Sequence, residues 1–213
     1  MKRQLIIDLL FTAGILSVML FLSAPFVKVI LAALISIVYA ITNKDRFKSI
    51  GFNKPGSWML ALLQSLLLAC VIVALTFFII TPLVEYLTGN SIDASLFRPL
   101  QGNFELFLNY LAIGWIVGGI SEEIVFRGFL LNRITSYIPN ETGVVYAIVI
   151  TSALFGFMHG YQGIAGQIQT GIIGALLATI YYVCGKRLTI AILTHGLVNT
   201  ISFSLIYFKA VEI

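Results

Sequence analysis

Three short stretches of this chain carry groups able to do chemistry. The first is Glu122-Glu123 followed by Arg127, in the run Gly118-Gly119-Ile120-Ser121-Glu122-Glu123-Ile124-Val125-Phe126-Arg127-Gly128. The second is Phe155 followed four residues later by His159, and the third is His195 followed four residues later by Asn199. Burial of a carboxylate in a low-dielectric pocket disfavours its charged form and can prepare it as a general base. Imidazoles and an amide can stabilise a developing oxyanion. Together these are the parts for water attack on an amide bond. Gly-x-Ser-x-Gly, Gly-x-Gly-Asp and His-Glu-x-x-His patterns are all missing from the sequence, so other protease designs find no support.

Residues three or four apart share a helical face. Glu123 and Arg127 therefore pair on a helix, while Glu122 points about 100° away. An interfacial ion pair accounts for Glu123 and Arg127 but leaves Glu122 unexplained. Alone, His159 reads as a satisfied interfacial residue at the end of an apolar helix, and His195 with Asn199 as a packing hydrogen bond to another helix. Both histidines of the chain, His159 and His195, fall in apolar segments of the same half as the paired glutamates. Three separate structural explanations would have to hold at once, and one convergent polar site is the simpler expectation.

These residues must be positioned by membrane helices. Of the 213 residues, 59% are hydrophobic and only 10% are charged, against roughly 25% charged in a soluble domain. The mean hydropathy is +1.01. The fold class expected is all-α, a polytopic transmembrane helix bundle of about seven spans (roughly six to eight at ~20 residues each). Apolar runs cover 5–22, 26–42, 57–80, 104–121, 143–158, 164–183 and 188–208. The region 57–87 is long enough to hide a break. Residues 1–103 form helices without motifs, and 104–213 hold the polar core. The opening Met1-Lys2-Arg3 has no clear cleavage site after its apolar run, so a retained first span is expected.

The net charge of +4 fits membrane topology better than nucleic-acid binding, because no basic stripe interleaves with aromatics. Lys2, Arg3, Lys44, Arg46, Lys48, Lys54, Arg127, Arg133, Lys186 and Arg187 fall on one side of an alternating bundle, and Lys28, Arg98 and Lys209 on the other. The positive-inside rule makes the first side cytoplasmic, with the N-terminus in and the C-terminus out. Cys70 and Cys184 read as small core residues. Glycines crowd the second half, among them Gly114, Gly118, Gly119, Gly156, Gly171 and Gly174. Small residues let membrane helices approach closely.

The ordered set Glu122-Glu123-x-x-x-Arg127 with its Phe126-Arg127-Gly128, then Phe155-x-x-x-His159, then His195-x-x-x-Asn199 resembles the CAAX protease and bacteriocin-processing family, also called the abortive-infection or type II CAAX prenyl endopeptidase-like family. The resemblance covers about residues 104–205. It implies a glutamate-dependent intramembrane endopeptidase that cleaves a membrane-associated peptide or protein near the cytoplasmic face of a bacterial cell membrane, through a cavity open to the cytoplasm. In its terms Glu122 activates water and His159 helps to hold it. His195 and Asn199 stabilise the oxyanion, and Glu123 and Arg127 brace the site. No cofactor is implied. Zinc held by two His and one or two Glu is the less favoured alternative.

Two other functions compete: a non-catalytic bacteriocin self-immunity or membrane scaffold protein of the same fold, and a transporter using buried Glu and His as a proton relay. The intact polar set favours catalysis. No pair of broken, inverted helices supports transport. One feature fits poorly. His159 closes its apolar run and should lie nearer the opposite face than Glu122 and His195, unless the fifth span starts deeper or the helix after Arg127 overshoots the bilayer.

Overall fold

The computed structural model describes residues 2–42 and 46–211, so Lys44 lies outside the described residues. Among the described residues all regular structure is helical. Seven helices follow the seven apolar runs: α1 (Lys2–Phe21), α2 (Pro25–Thr42), α3 (Trp58–Thr88), α4 (Phe104–Tyr137), α5 (Glu141–Phe157), α6 (Gly163–Val183) and α7 (Leu188–Tyr207). Six of these helical segments are long and apolar enough to cross a membrane, and α5 is shorter. Large apolar side chains such as Leu10, Phe21, Phe78, Leu87 and Val183 face outward. An exposed apolar belt of this extent suits lipid and not water.

Local chemistry sets the helix ends. Ser57, Asn103 and Asn140 each accept a hydrogen bond from a backbone N–H three residues on, which satisfies one orphan donor of α3, α4 and α5. Gly89 ends α3 with φ +65°, a conformation that glycine adopts without strain. The region 57–87 holds no break. Pro82, which lacks an N–H, is accommodated by a wider π-helical turn at Thr76–Ile80 just before it. In α4 the π-winding is far longer. It covers Gly114–Glu122 and Ile124–Leu131, the stretch that carries both glutamates and Arg127.

The helices alternate in direction, and cross-contacts fix which ends share a side. Gly51 N–H and C=O lie among Lys48, Lys186 and Leu188, and Asn132 donates to the Tyr181 hydroxyl at 2.7 Å. These mark the side of the basic loops. On the other side Gly102 N–H donates to Tyr207 C=O and Asp93 N–H to Gln162 C=O.

A main core joins Tyr39 of α2, Phe126, Phe129 and Leu131 of α4, Phe155 of α5 and Tyr181 of α6. A second core packs Ala69, Ile72 and Val73 of α3 against Leu177 of α6 and Val198 of α7. Helices from before and after residue 103 thus share both cores.

The depth of His159 has a simple answer. Asn132 is level with Tyr181, yet α4 runs on to Tyr137 before the chain turns. Those five residues carry it roughly 7 Å farther at 1.5 Å per residue. α5 starts that much farther out and ends correspondingly short of the opposite side. α4 thus continues beyond the level of Tyr181, and His159 reaches the same cavity as Glu122.

Candidate active site

The π-wound segment of α4 lies against α7, and glycine makes the approach feasible. A Cβ on Gly119 would stand 3.2 Å from the Gly196 backbone, and one on Gly196 would stand 2.4 Å from the Trp115 ring. The indole N–H of Trp115 donates to Thr200 Oγ1 at 3.0 Å, so α4 and α7 are also pinned by a polar contact. Gly118 faces the polar groups themselves. A Cβ there would lie 2.5 Å from Asn199 Nδ2 and 3.5 Å from His195 Nε2.

The two glutamates meet one imidazole from its two sides. Glu123 Oε1 lies 2.8 Å from His195 Nδ1, and Glu122 Oε2 lies 3.9 Å from His195 Nε2. The expectation that Glu122 and Glu123 face different surroundings holds in one respect: Glu123 is 0% exposed, whereas Glu122 keeps 9% exposure and lines a cavity. Glu122 is therefore the carboxylate with access to water.

Arg127 is bound in place from three directions. Its Nη1 donates to Glu123 Oε1 at 2.8 Å, its Nη2 donates to Gly174 C=O of α6 at 2.8 Å, and its guanidinium stacks 4.9 Å from the Phe155 ring centre. The four-residue spacing read from the sequence is thus realised as an ion pair. Its setting is not interfacial, because Arg127 is 1% exposed. A buried cation tied to a carboxylate carries no information on which side faces the cytoplasm, and Arg127 drops out of the orientation argument.

Glu123 Oε1 accepts from Arg127 and is also the acceptor for His195 Nδ1–H. This sets the tautomer and leaves Nε2 pointing to Glu122. His159 is set by a similar device. Its Nδ1 lies 2.8 Å from Phe155 C=O. A carbonyl only accepts, so Nδ1 carries the proton and Nε2 is the acceptor of the neutral ring. The Phe155 ring sits between the two imidazoles, 4.8 Å from His159 and 6.1 Å from His195, and meets Phe126 edge-on at 4.9 Å. Asn199 donates one Nδ2 hydrogen to Gly114 C=O at 2.9 Å and keeps the other.

Glu122, His159, His195 and Asn199 all line one cavity of about 760 Å³. Glu123 and Arg127 stand behind it. Every site residue expected from the sequence is therefore part of one assembly, contributed by α4, the turn after α5 and α7. Among the described residues, no group of three or more His, Cys, Asp and Glu side chains is placed to share one metal ion.

The position of the cavity sets two expectations against each other. The cavity reaches from Glu122 and His195 toward the loop 91–98 and the aromatic trio Phe97, Tyr110 and Phe203, on the side away from the basic loops. The charge pattern and a cavity open to the cytoplasm cannot both hold. The reason lies in the helix order: the site occupies the half of α4 before Arg127 and the half of α7 after His195, and both halves approach the 91–98 side.

A second buried polar cluster escaped the reading of the sequence. Asp8 of α1 is 2% exposed and accepts from Gln4 Nε2 at 2.7 Å and Tyr39 OH at 2.8 Å, and also from Tyr137 OH. Arg133 donates to Tyr39 OH at 2.6 Å and lies 3.5 Å from Asp8. The signal was present: an aspartate inside the first apolar run is as costly as Glu122 in its own. The roles of Gly174 and Gly114 as backbone acceptors left no signal, since any residue supplies a carbonyl.

Comparison with known proteins finds one family match. Residues 104–201 match the family model described as Type II CAAX prenyl endopeptidase Rce1-like. This segment is similar to the Rce1-like family. The matched segment contains α4 to the middle of α7 and so includes all six site residues. The family is one of proteases, and the chain is a helical membrane protein. No curated protein and no solved structure matches the chain significantly.

Proposed function

We propose that this protein is a glutamate-dependent intramembrane endopeptidase that hydrolyses a peptide bond of a membrane-associated peptide or protein. The observation that carries the reading is the convergence of Glu122, His159, His195 and Asn199 on one cavity, with Glu123 and Arg127 fixing His195 from behind. In the first step Glu122 takes a proton from water and the water oxygen bonds to the scissile carbonyl carbon. His159 Nε2, an acceptor, holds the second water hydrogen. The carbonyl electron pair moves to oxygen. The free Nδ2 hydrogen of Asn199 stabilises this oxyanion, and the His195 ring, held from behind by Glu123, stands beside it. The carbon–nitrogen bond then breaks, and Glu122 passes its proton to the departing nitrogen, leaving an acid and an amine.

The charge pattern of the loops supports an N-terminus in the cytoplasm, and with it a cavity facing the outer side of the membrane. The test is Glu122→Gln against Lys54→Ala as control, in liposomes with a quenched peptide library. Loss of cleavage by roughly 100-fold or more is expected for the glutamine variant. Unchanged cleavage overturns the role of Glu122 as base.

A further inference from the structure

A second cavity, of about 370 Å³, lies at the end of the bundle that carries the basic loops. Three cations line it: Lys48 from the turn after α2, Arg133 near the end of α4, and Lys186 between α6 and α7. The remaining lining is polar or small, including Asn53, Asn132, Thr135, Ser136 and Tyr181, and no described lining residue is acidic. The size is at the lower end of ligand sites, roughly 300–1,000 Å³.

This arrangement is more than a solvated basic edge. Lys186 is folded back into the pocket by two consecutive left-handed residues, Gly185 at φ +75° and Lys186 itself at φ +56°. A left-handed lysine is uncommon and needs support. The support is local: Lys186 N–H donates to Tyr181 C=O at 2.8 Å, and its Nζ reaches Thr135 Oγ1 at 3.4 Å. Gly51, at φ +82°, packs so closely that a Cβ would lie 2.7 Å from Lys186 C=O and 2.4 Å from Tyr181 OH. Partial burial and the nearby charge of Arg133 hold the Lys186 ammonium below the ordinary lysine value. Arg133 spends Nη1 on Tyr39 and Asp8, yet its buried Nε has no acceptor among the described residues. Cations gathered in a concave polar pocket without a lining carboxylate favour an anion that accepts several hydrogen bonds at once.

We infer that the pocket formed by Lys48, Arg133 and Lys186 binds a phosphate group, supplied either by the headgroup of an anionic lipid or by a soluble phosphate compound. A phosphate there bridges the turn after α2, the end of α4 and the α6–α7 turn, and so ties the far end of the catalytic helix to its neighbours.

The test uses the full chain in phosphatidylcholine nanodiscs. In one arm inorganic pyrophosphate is titrated and followed by phosphorus NMR. In the other, phosphatidylglycerol is a minor lipid component and its retention is read by native mass spectrometry. The variant Lys48→Gln/Lys186→Gln is compared with Lys54→Gln/Arg187→Gln, which removes equal charge from the same side outside the pocket. Wild-type binding in either arm, weakened roughly tenfold or more by the pocket variant only, is the expected result. Pyrophosphate binding alone identifies a soluble phosphate site, and lipid retention alone identifies a headgroup site. Absence of wild-type binding in both arms, or equal loss in the two double variants, overturns the inference. The single variant Lys48→Gln changes an exposed side chain, and if the double variant fails to fold it must show the weakening on its own.

Discussion

Replacing Gly118 by alanine probes the site without substituting any reacting group. The new methyl would lie 2.5 Å from Asn199 Nδ2 and 3.5 Å from His195 Nε2. The first distance is far inside contact, so Asn199 must move. The obstructed atom is the tip of a flexible side chain and not backbone, so the fold yields locally. Overpacking of this kind costs about 1–3 kcal/mol, and relief through Asn199 puts the expected loss near the lower end, about 1 kcal/mol. The displacement also breaks the 2.9 Å bond from Asn199 to Gly114 C=O. An oxyanion donor shifted from its place costs roughly 10²–10³ in kcat. The assay pairs thermal unfolding in detergent with peptide cleavage in liposomes. Gly14→Ala is the control, since a Cβ there meets nothing within 4 Å. A Gly118→Ala protein that cleaves within about twofold of the wild type refutes the role given to Asn199 and the contact argument behind it.

Arg127→Met leaves Glu123 as an uncompensated buried charge, and a loss of about 3–5 kcal/mol is expected. Adding Glu123→Gln in the same chain should recover part of it, as read by chemical denaturation. Asp8→Ala removes the acceptor shared by Gln4, Tyr39 and Tyr137. It should lower the unfolding midpoint while leaving the pH profile of cleavage unchanged, and an altered profile would contradict the separation of the two clusters. Cleavage should survive exhaustive chelation, and a loss that added zinc restores would return the metal alternative.

Much of the architecture was legible in the sequence because lipid imposes a severe rule: apolar runs must satisfy their own backbones as helices. The seven runs became seven helices, with ends set by Ser57, Asn103, Asn140 and Gly89 as their chemistry dictates. The pairing of Glu123 with Arg127 and the shared face of His195 and Asn199 followed from helical spacing alone. What escaped was longer in range. The π-winding of α4 has no periodic signature, and the depth of His159 depends on how far α4 overshoots. The separation of Glu122 from Glu123 rests on which edge of His195 each one meets, a matter of packing between α4 and α7. Asp8 was readable by the same cost of charge in hydrocarbon that singled out Glu122, but without a nearby motif it drew no attention.

The burial of Glu122 among helices bears on the shape of whatever it cuts. A helix in lipid keeps each of its carbonyls occupied by its own amide hydrogens, and such a carbonyl is shielded from a nucleophile. To lie beside Glu122, a stretch of substrate must first unwind and surrender those bonds inside the pocket. Sequences that hold a helix weakly, with glycine, proline or β-branched residues near the scissile bond, give up the least. Selection among substrates then rests on how readily a segment comes apart, as much as on which side chains it presents.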